Sequence, residues 1–252
     1  MNVTRNPPCP VCGAPTSPLD AVDFNKSCEE LRGKVLPPAG FSVQYLLCED
    51  CGFCFAPELY GWTLRQFADR IYNERYIEVD PDYLSARPRT NARSLVSLMG
   101  DRGLDIRHLD YGGGNGLLSE LLRESGWQSA SYDPFIDSDG LRDFGKFDLI
   151  TAYEVFEHVP DPRRLVKDLS LLLDGDGLLL FSTLVSDGKL GPQQCLDWWY
   201  ASPRNGHISL FSTKSLSVLG AQEAFKFGSF SAGFHAFWRN IPPWAAHIMP
   251  GC

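Results

Sequence analysis

The sequence lacks any apolar stretch approaching the roughly 20 residues that a membrane-spanning helix needs. Its first ten residues, MNVTRNPPCP, lack the apolar run of a signal peptide. Basic residues are not in excess, since the formal net charge is −8 and the pI about 5.1. These absences predict a cytoplasmic protein without a membrane partner, and they argue against a general electrostatic attraction to nucleic acid.

The chain is instead rich in groups that build a core or bind metal. Hydrophobic residues make up 44% of the 252 residues, which is enough for a sizeable core. Eight cysteines are present. In a reducing compartment they are expected to be thiols or metal ligands rather than disulfides.

Four of these cysteines form two pairs with the same local pattern. Cys9 and Cys12 enclose two residues and are followed by a glycine, and so are Cys48 and Cys51. Such a turn aims two thiolates at one ion, and two turns together provide the tetrahedral thiolate set that suits zinc. The alternative is reduced cysteines with chance spacing. We expect a structural zinc site, because four thiolates leave no open coordination position.

The positions of the cysteines and the spacing of the apolar residues divide the chain into three parts. Residues 1–60 hold the four-cysteine module, and residues 61–105 show apolar residues at helical spacing, as in a helical lid or connector. From residue 106 to 252, short apolar runs alternate with helical patterns, which is typical of a parallel sheet with crossover helices.

A glycine-rich segment follows the first strand of this third part. The strand at 106–111 runs directly into residues 112–116, which read Gly-Gly-Gly-Asn-Gly, and a helical pattern comes next. Glycines at such a turn let the backbone approach a ligand closely. Asp110 ends this strand and Asp133 ends the next one, where a carboxylate is placed to bind ribose hydroxyls. NAD-dependent enzymes share such turns and stay an alternative at this point.

Residues 106–184 resemble class I S-adenosylmethionine-dependent methyltransferases. The resemblance rests on residues 109–116, on Asp133, and on residues 157–162, which read Glu-His-Val-Pro-Asp-Pro. That last motif is typical of the branch with ubiquinone-type O-methyltransferases and many natural-product and sugar methyltransferases. The resemblance implies an α/β fold with a Rossmann-like seven-stranded sheet whose last two strands are antiparallel, preceded here by a small zinc-ribbon-like module.

The same resemblance implies how S-adenosylmethionine is held. Gly112, Gly113 and Gly114 approach its methionyl part, Asp110 orients its amino group, and Asp133 holds its ribose. Glu154 lies beside the cofactor, and Arg87 or Arg89 pairs with its carboxylate; a solvent-facing arginine is the alternative. The chain between Asp133 and residue 147 is short, so we expect a clipped third strand and assign no adenine-binding role to Asp137, Asp139 or Asp143.

Three roles stay open for His158. It is a candidate catalytic residue, and a histidine that caps or is buried is the alternative. Glu154, Glu157 and His158 would also share one face if the segment were helical. In the ubiquinone-type branch this trio is associated with a divalent cation.

The long connection after residue 184 is the predicted substrate wall. Trp198, Trp199 and Tyr200 cluster there, and Tyr76 is added from the helical lid; packing is the alternative role for the tryptophans. His207 is the candidate base or substrate contact. The alternative is a histidine that hydrogen-bonds the backbone and anchors the next helix.

Together these features predict a methyltransferase that acts on oxygen or carbon of a small molecule, such as a sugar nucleotide, a phenol or a secondary-metabolite intermediate. A ribosomal RNA methyltransferase is one alternative, because some of these carry a cysteine zinc module. The other is a catalytically silent fold that recruits a protein partner. The acidic composition disfavours RNA. The sequence leaves the oligomeric state open.

Overall fold

The structure of the chain, a computed structural model, describes residues 6–137, 145–192 and 194–249. Short 3-10 helices connect many of its regular elements. The strands within these ranges are β1 (Ser17–Asp23), β2 (Ser42–Leu47), β3 (Cys54–Phe55), β4 (Arg107–Tyr111), β5 (Gln128–Tyr132), β6 (Phe147–Tyr153), β7 (Leu173–Ser182), β8 (Ser209–Leu210), β9 (Lys226–Ser231) and β10 (Phe234–Trp238). The α-helices are α1 (Pro57–Tyr60), α2 (Leu64–Arg70), α3 (Ala86–Met99), α4 (Leu117–Glu124), α5 (Pro162–Leu172) and α6 (Thr213–Ala221).

The chain forms two compact units, each assembled from three segments. Unit 1 is formed by described residues of 1–80, 156–165 and 184–219, and unit 2 by those of 81–155, 166–183 and 220–252. The units differ from the three continuous parts predicted above (1–60, 61–105, 106–252), because two later segments pack with the N-terminal part. The continuous domain boundaries stay a prediction.

Unit 1 contains a four-stranded antiparallel sheet in the order β1-β2-β3-β8. Strand β2 alternates in burial over its first four residues: Val43 and Tyr45 are fully buried, whereas Ser42 is exposed and Gln44 is partly exposed. The edge strand β8 pairs Leu210 with Cys54 of β3. The sheet that carries the cysteine pairs is therefore completed by residues from far along the sequence.

The helical segment that follows has a clear local origin. Thr63 and Gln66 form a capping box at the start of α2, in which each side chain accepts a hydrogen bond from the other residue's backbone N–H. The helix then buries Phe67 in the apolar core of unit 1. The prediction of helices in this part of the chain is confirmed for α2 and α3.

Unit 2 contains a six-stranded sheet in the order β5-β4-β6-β7-β10-β9 among the described residues. The first four strands are parallel, and β10 and β9 are antiparallel to their neighbours. The apolar runs are buried in the sheet: Leu109, Leu149 and Leu180 are fully buried. The mixed α/β fold with a parallel-rich sheet is therefore confirmed.

The sheet differs from the expected one in two details. Seven strands were expected, with the third clipped, and the described residues provide six; residues 138–144, which follow β5, lie outside the described ranges. Strand β7 begins at Leu173, although Asp-Gly-Asp-Gly at 174–177 is typical of a turn; Leu173 pairs with Phe147, pairing with β6 resumes at Leu178, and residues 174–177 form the irregularity between these points.

No helix in the described parts of the chain is long and apolar enough to cross a membrane.

Candidate functional site

The four predicted zinc ligands lie together in unit 1. The Sγ atoms of Cys9 and Cys51 are 3.6 Å apart and those of Cys12 and Cys48 3.5 Å, with all four within 4.8 Å of one another. Disulfide sulfurs are about 2.05 Å apart. Thiolates about 2.3 Å from one tetrahedral zinc ion are separated by roughly 3.8 Å. The cluster therefore fits a tetrahedral thiolate site.

The backbone around these cysteines favours thiolates. Gly13 and Gly52 follow the two pairs with φ of 80° and 73°, a left-handed conformation that only glycine adopts without strain. Backbone N–H groups of Val11 and Cys12 point at the Cys9 sulfur. A hydrogen bond from Cys51 is the main cause that lowers the pKa of Cys9 to about 5, and the same contact raises the pKa of Cys51.

Cys54, three residues after Cys51, lies outside this cluster. It is fully buried in β3, where burial raises the pKa of its thiol. Another cysteine outside the two pairs, Cys28, has its Sγ 3.8 Å from Nδ1 of His207. Neither residue lies among the four clustered sulfurs.

The glycine-rich turn of unit 2 joins β4 to α4. Gly112 and Gly114 have φ of 74° and 54°. A Cβ atom on Gly113 would lie 2.2 Å from Ser131 Oγ and 2.7 Å from Asp110 Oδ2. Any side chain at residue 113 would therefore displace its neighbours, and the backbone of this turn stays open to close approach.

Asp110 is the buried acid of this region, with only 4% of its surface exposed. Its Oδ1 accepts a hydrogen bond from the Thr151 hydroxyl at 2.8 Å. Burial raises the pKa of Asp110 to about 7, and the nearby charge of Asp133 acts in the same direction, whereas the Thr151 hydrogen bond opposes it. The carboxyl group therefore changes its charge near neutral pH.

A histidine behind Asp110 completes a buried chain of hydrogen bonds. Because the Thr151 hydroxyl donates to Asp110, it accepts from Nε2 of His108 at 2.9 Å, and Nδ1 of His108 then accepts from Ser129 Oγ at 2.8 Å. Burial lowers the pKa of His108 to about 3, so the ring is neutral. This chain orients the Asp110 carboxyl group from behind.

Asp133 closes the other side of the glycine turn. Its Oδ2 accepts from the backbone N–H of Gly114 at 3.0 Å, and its Oδ1 accepts from that of Phe135 at 2.9 Å. Asp137 accepts from the Asp133 N–H at 2.7 Å. Asp139 and Asp143, the other acids considered for adenine, lie outside the described residues.

Two further predicted cofactor residues lie in unit 2. Glu154 follows β6 with φ of 54°, and its Oε1 accepts a hydrogen bond from Ser182 Oγ at 2.7 Å. A left-handed non-glycine residue at a strand end is strained, as residues at functional sites often are. Arg87 begins α3, and Asn115 of the glycine turn donates to the carbonyl of Leu84 just before that helix.

A second cluster of titratable residues lies in unit 1. One ring nitrogen each from His158 and His207 and a carboxylate oxygen of Glu157 lie within 4.8 Å of one another. Glu157 is fully buried and His207 is 4% exposed, whereas His158 is half-buried. The hydroxyl of Tyr200 donates to Glu157 Oε1.

The clustered residues differ from the predicted trio of Glu154, Glu157 and His158, which would share one face only in a helix. Only Phe156–His158 is helical, as a single 3-10 turn, and Glu154 belongs to unit 2. The place of Glu154 is taken by His207, which comes from the loop before β8.

Both histidine rings are oriented by backbone carbonyls. Nδ1 of His207 lies 2.8 Å from the carbonyl oxygen of Tyr200, and Nδ1 of His158 lies 3.2 Å from that of Gly206 and 3.0 Å from the Tyr72 hydroxyl. A carbonyl only accepts hydrogen bonds, so Nδ1 of His207 carries the proton and the lone pair of the neutral ring is on Nε2. The Tyr72 hydroxyl can donate or accept, so it fixes the position of the His158 ring and not its tautomer.

Backbone contacts hold the two halves of the cluster together. The N–H of Ile208 donates to the carbonyl of Glu157 at 2.9 Å, and Ser209 Oγ donates to that of Val159 at 2.7 Å. Gly206 has φ of 88°, and a Cβ there would lie 2.7 Å from Tyr72 Oη and 3.0 Å from His158 Nδ1. Residue 206 therefore has to be glycine for this arrangement.

A family model described as "Methyltransferase domain" matches residues 83–226, which is more than half of the chain. The chain belongs to this methyltransferase family. The matched segment includes the glycine turn, Glu157, His158 and His207, and it begins after the four clustered cysteines.

Curated relatives of this methyltransferase match it over a limited length. The ubiquinone biosynthesis O-methyltransferase of Glaesserella parasuis serovar 5 (strain SH0165) is 38% identical over 63 residues, which are 25% of this chain and 27% of that protein. The protein of the same name from Coxiella burnetii (strain Dugway 5J108-111) is 34% identical over 30% of this chain and 42% of that protein. The chain spans less than half the length of these curated relatives.

Solved structures with a related fold are more distant. An O-methyltransferase family protein from Burkholderia thailandensis has a TM-score of 0.46 and 15% identity, with 63% of this chain and 58% of that chain covered. Human N-acetylserotonin methyltransferase in complex with SAM has a TM-score of 0.46 and 14% identity, with 73% and 61% covered. The family assignment rests on the family model and not on these two structures.

The aromatic residues predicted to contact substrate are mostly packed in the methyltransferase's unit 1. Trp198, Tyr200 and Tyr76 are 8%, 2% and 6% exposed and belong to one apolar core cluster, and Trp199 packs against it half-buried. The hydroxyl of Tyr76 donates to the carbonyl of Asn205 at 3.3 Å. Packing, the alternative considered for the tryptophans, accounts for these positions; substrate contact stays a prediction.

Sequence reasoning missed several residues that shape these sites. Thr151 was not among the predicted site residues, although a hydroxyl inside an apolar run is a signal for a buried hydrogen bond. Lys26 donates to the carbonyls of Trp198 and Ala201 at 2.6 and 2.9 Å, and Tyr45 to that of His207 at 2.7 Å. No local sequence pattern predicts these contacts, because the residues that make them are far apart in the sequence.

Proposed function

We propose that this chain transfers a methyl group from S-adenosylmethionine to a small molecule. One observation carries the proposal: at the carboxyl ends of β4 and β5, the glycine turn 112–116 lies with Asp110 and Asp133, and Gly113 has no room for a side chain. This is the edge at which open α/β sheets bind nucleotide-like ligands. Membership of the methyltransferase family supports the same cofactor.

In this proposal each residue of unit 2 has one task toward the cofactor. Asp110, in its ionised form, binds the amino group, and the turn made by Gly112, Gly113 and Gly114 borders the methionyl part. Asp133 accepts from the ribose hydroxyls, for which carboxylates at this position are suited. Glu154 lies beside the cofactor, and Arg87 at the start of α3 binds the carboxylate through its guanidinium.

The bound cofactor supplies a sulfonium methyl group that is open to in-line attack. The acceptor's oxygen or carbon forms the new bond to this methyl, the sulfur keeps the electron pair of the bond that breaks, and the acceptor's proton leaves to a base or to solvent. The chain's task is to orient the acceptor and exclude water. We propose His158 and His207 as its polar contacts, with Trp198, Trp199, Tyr200 and Tyr76 as the aromatic surroundings.

We propose that the four clustered cysteines hold one structural zinc ion. Support comes from the sulfur separations, from the backbone N–H groups aimed at Cys9, and from the lowered pKa of that residue. Four thiolates fill a tetrahedral site and leave zinc no position for substrate. Such a site requires reduced thiols, which agrees with a cytoplasmic location.

Binding of the demethylated cofactor, S-adenosylhomocysteine, measured by calorimetry, tests the cofactor assignment. We expect the wild-type chain to bind in the micromolar range or tighter, and Gly113→Ala to weaken binding at least about 100-fold, since the added Cβ collides with Ser131 and Asp110. Gly175→Ala is the matched control, because its Cβ meets nothing within 4 Å. Binding of NAD with none of S-adenosylhomocysteine would refute the proposal.

Methyl transfer from labelled S-adenosylmethionine to a panel of phenols, sugar nucleotides and purified RNA tests the substrate class. We expect label in small acceptors. Label in RNA, with an RNA affinity that falls steeply as salt rises, would favour the RNA alternative. Cofactor binding with no transfer to any acceptor, together with a stable co-purifying protein, would favour the silent partner-recruiting fold.

A further inference from the structure

We propose that Glu157, His158 and His207 bind a divalent transition-metal cation at a second metal site, separate from the four cysteines. These residues offer two imidazole nitrogens and one carboxylate oxygen. That donor set is typical of zinc in catalytic sites and of non-haem iron, and it is poorly suited to magnesium or calcium, which prefer oxygen ligands.

The ligand atoms are close enough to meet on one ion. They lie within 4.8 Å of one another, and the ring centroids of His158 and His207 are 4.9 Å apart. Ligands at about 2.1 Å from one ion are separated by roughly 3 to 3.5 Å. The widest pair would therefore draw together by a little over about 1 Å when the ion binds.

Neighbouring groups orient both histidine rings, as is usual for metal-binding histidines. Nδ1 of His207 lies 2.8 Å from the carbonyl oxygen of Tyr200, which fixes that ring and leaves its lone pair on Nε2. Nδ1 of His158 contacts the hydroxyl of Tyr72 at 3.0 Å and the carbonyl of Gly206 at 3.2 Å, which fix the second ring. Tyr200 adds a hydrogen bond to the Glu157 carboxylate, which orients the third ligand.

The fold assembles this set in advance. Glu157 is fully buried and His207 nearly so, so that two of the three ligands are held away from water. Hydrogen bonds from Ile208 to Glu157 and from Ser209 to Val159 join the segments that carry them. Burying a carboxylate beside two imidazoles is costly unless it binds a cation or a proton, and a divalent ion provides the stronger compensation.

The site differs from the two other ligand sets considered. The cysteine cluster is made only of sulfur donors. The trio associated with a cation in the ubiquinone-type branch would need Glu154, which belongs to unit 2 and accepts a hydrogen bond from Ser182. Here His207, fifty positions after Glu157, completes the set.

Three protein ligands leave at least one coordination position open. The use of that position rests on the proposed methyltransferase function: an acceptor oxygen bound there would lose its proton more readily, because the cation lowers the pKa of a bound hydroxyl. In that case His158 and His207 hold the cation rather than take the acceptor's proton.

Cobalt(II) titration of the full-length chain, loaded beforehand with one equivalent of zinc to fill the four-thiolate site, tests the second site directly. Cobalt binds N/O donors more tightly than manganese or iron(II), and its visible spectrum reports the ligands. We expect one cobalt ion per chain, with ligand-field bands and without the intense thiolate-to-cobalt charge transfer of a cysteine site. No bound cobalt in the wild-type chain at millimolar cobalt would overturn the proposal. It would equally be overturned if all bound cobalt showed thiolate charge transfer.

His158→Ala identifies the ligands, and His247→Ala is its matched control because His247 is an exposed histidine in unit 2. We expect the first variant to weaken cobalt binding at least about 100-fold and the second to leave it unchanged. His158 is only half-buried, so His158→Ala should disturb the fold least. Glu157→Gln is a further ligand variant, with its zinc content and melting temperature measured as a check on folding. Wild-type cobalt affinity in both His158→Ala and Glu157→Gln would refute the assignment.

S-adenosylhomocysteine binding is measured on the same samples. Binding of S-adenosylhomocysteine by a chain that binds no cobalt at this site would refute the cation proposal and leave the proposed function intact. A cobalt site in a chain that binds no S-adenosylhomocysteine would support the cation and refute the proposed function.

Discussion

The two clusters of metal-ligating residues in unit 1 were unequally visible in the sequence. The four cysteines lie in two short pairs, each with its own glycine, so that each half of the site is formed locally. Glu157 and His207 are brought together only by the fold, through β8 and the hydrogen bond from Ile208. A site made of local turns is readable from spacing, whereas a site made by tertiary contacts is not.

The two clusters also differ in what stabilises them without an ion. The cysteine sulfurs receive backbone N–H groups from their own turns. The histidines instead rely on carbonyls and hydroxyls from several segments, including those of Gly206, Tyr200 and Tyr72. Loss of metal should therefore disrupt the cysteine module severely and the histidine cluster mildly.

The largest effect is expected for Cys9→Ser. A structural zinc site contributes about 10 kcal/mol or more, which is comparable with the whole stability of a domain. We expect the variant to contain no zinc and to lose the cooperative unfolding of unit 1 in calorimetry. Cys195→Ser, at an exposed cysteine, is the control. A zinc-free variant that unfolds as the wild-type chain does would contradict the contrast drawn above.

A smaller loss is expected for Gly206→Ala. The added Cβ meets Tyr72 and His158, and the left-handed backbone adds strain, so we expect about 2–4 kcal/mol of destabilisation in urea unfolding. Gly188→Ala separates the two causes, because Gly188 has φ of 71° but nothing within 4 Å of a Cβ. It should cost only about 1 kcal/mol. Equal losses in both variants would mean that the contact with His158 does not matter.

The glycine turn with Asp110 is a third site, and like the cysteine pairs it is formed by residues that are close in sequence. The pKa of Asp110 is raised to about 7 in the folded chain, so at pH 6 about a tenth of the carboxyls are ionised and at pH 8 about nine tenths. A positively charged amino group binds the ionised form. We expect S-adenosylhomocysteine affinity to rise about tenfold from pH 6 to 8.

Asp110→Asn should remove this pH dependence in calorimetric titrations. The stability of the unliganded chain should change in the opposite sense. Between about pH 4 and 7 the unfolded chain has released the proton that folded Asp110 retains, so the contribution of this group to stability falls as pH rises. An unchanged pH profile in the variant would assign the titration to another group.

The smallest effect is expected for Arg163→Ala. Two nitrogens of Arg163 donate to the carbonyl of Val11, between the first two cysteines, at 3.1 and 2.8 Å. Their loss should destabilise unit 1 by about 1 kcal/mol and speed zinc release to a chelator. Lys167→Ala, at an exposed residue on the same helix, is the control. Unchanged zinc release would show that the cysteine module depends on its local turns alone.

Much of unit 2 was predictable because its signals are local. The strand before the glycines and the strand that ends at Asp133 both form as expected. Helix α5 also has a local signal at its start, where Asp161 Oδ1 accepts from the N–H of Arg164 at 2.9 Å. Strand β7 begins at Leu173, which pairs with Phe147, but its regular pairing with β6 starts only at Leu178. The Asp-Gly-Asp-Gly residues at 174–177, which are typical of a turn, interrupt the ladder between these two points.

Unit 1 was less predictable, since its contacts join distant segments. The cysteine spacing predicted which four residues would cluster, but nothing in it predicts that β8 adds to the sheet of the module. The burial of Trp198 and Tyr200 was also not predictable, because a cluster of aromatic residues in a loop has the same sequence pattern whether it packs in a core or lines a pocket. Such choices are made by tertiary packing, which a periodic pattern does not encode.

The pairing of β8 with β3 has a consequence for synthesis on the ribosome. The last of the four clustered cysteines, Cys51, is made early, whereas Ser209 and Leu210 follow only after the whole of β4 to β7 has been translated. Under the zinc proposal, the nascent module can therefore bind its ion while β3 is still an unpaired edge, open to pairing with another chain. A ribosome stalled before residue 209 would carry zinc on an unfinished sheet, and such nascent chains should associate with one another until β8 is made.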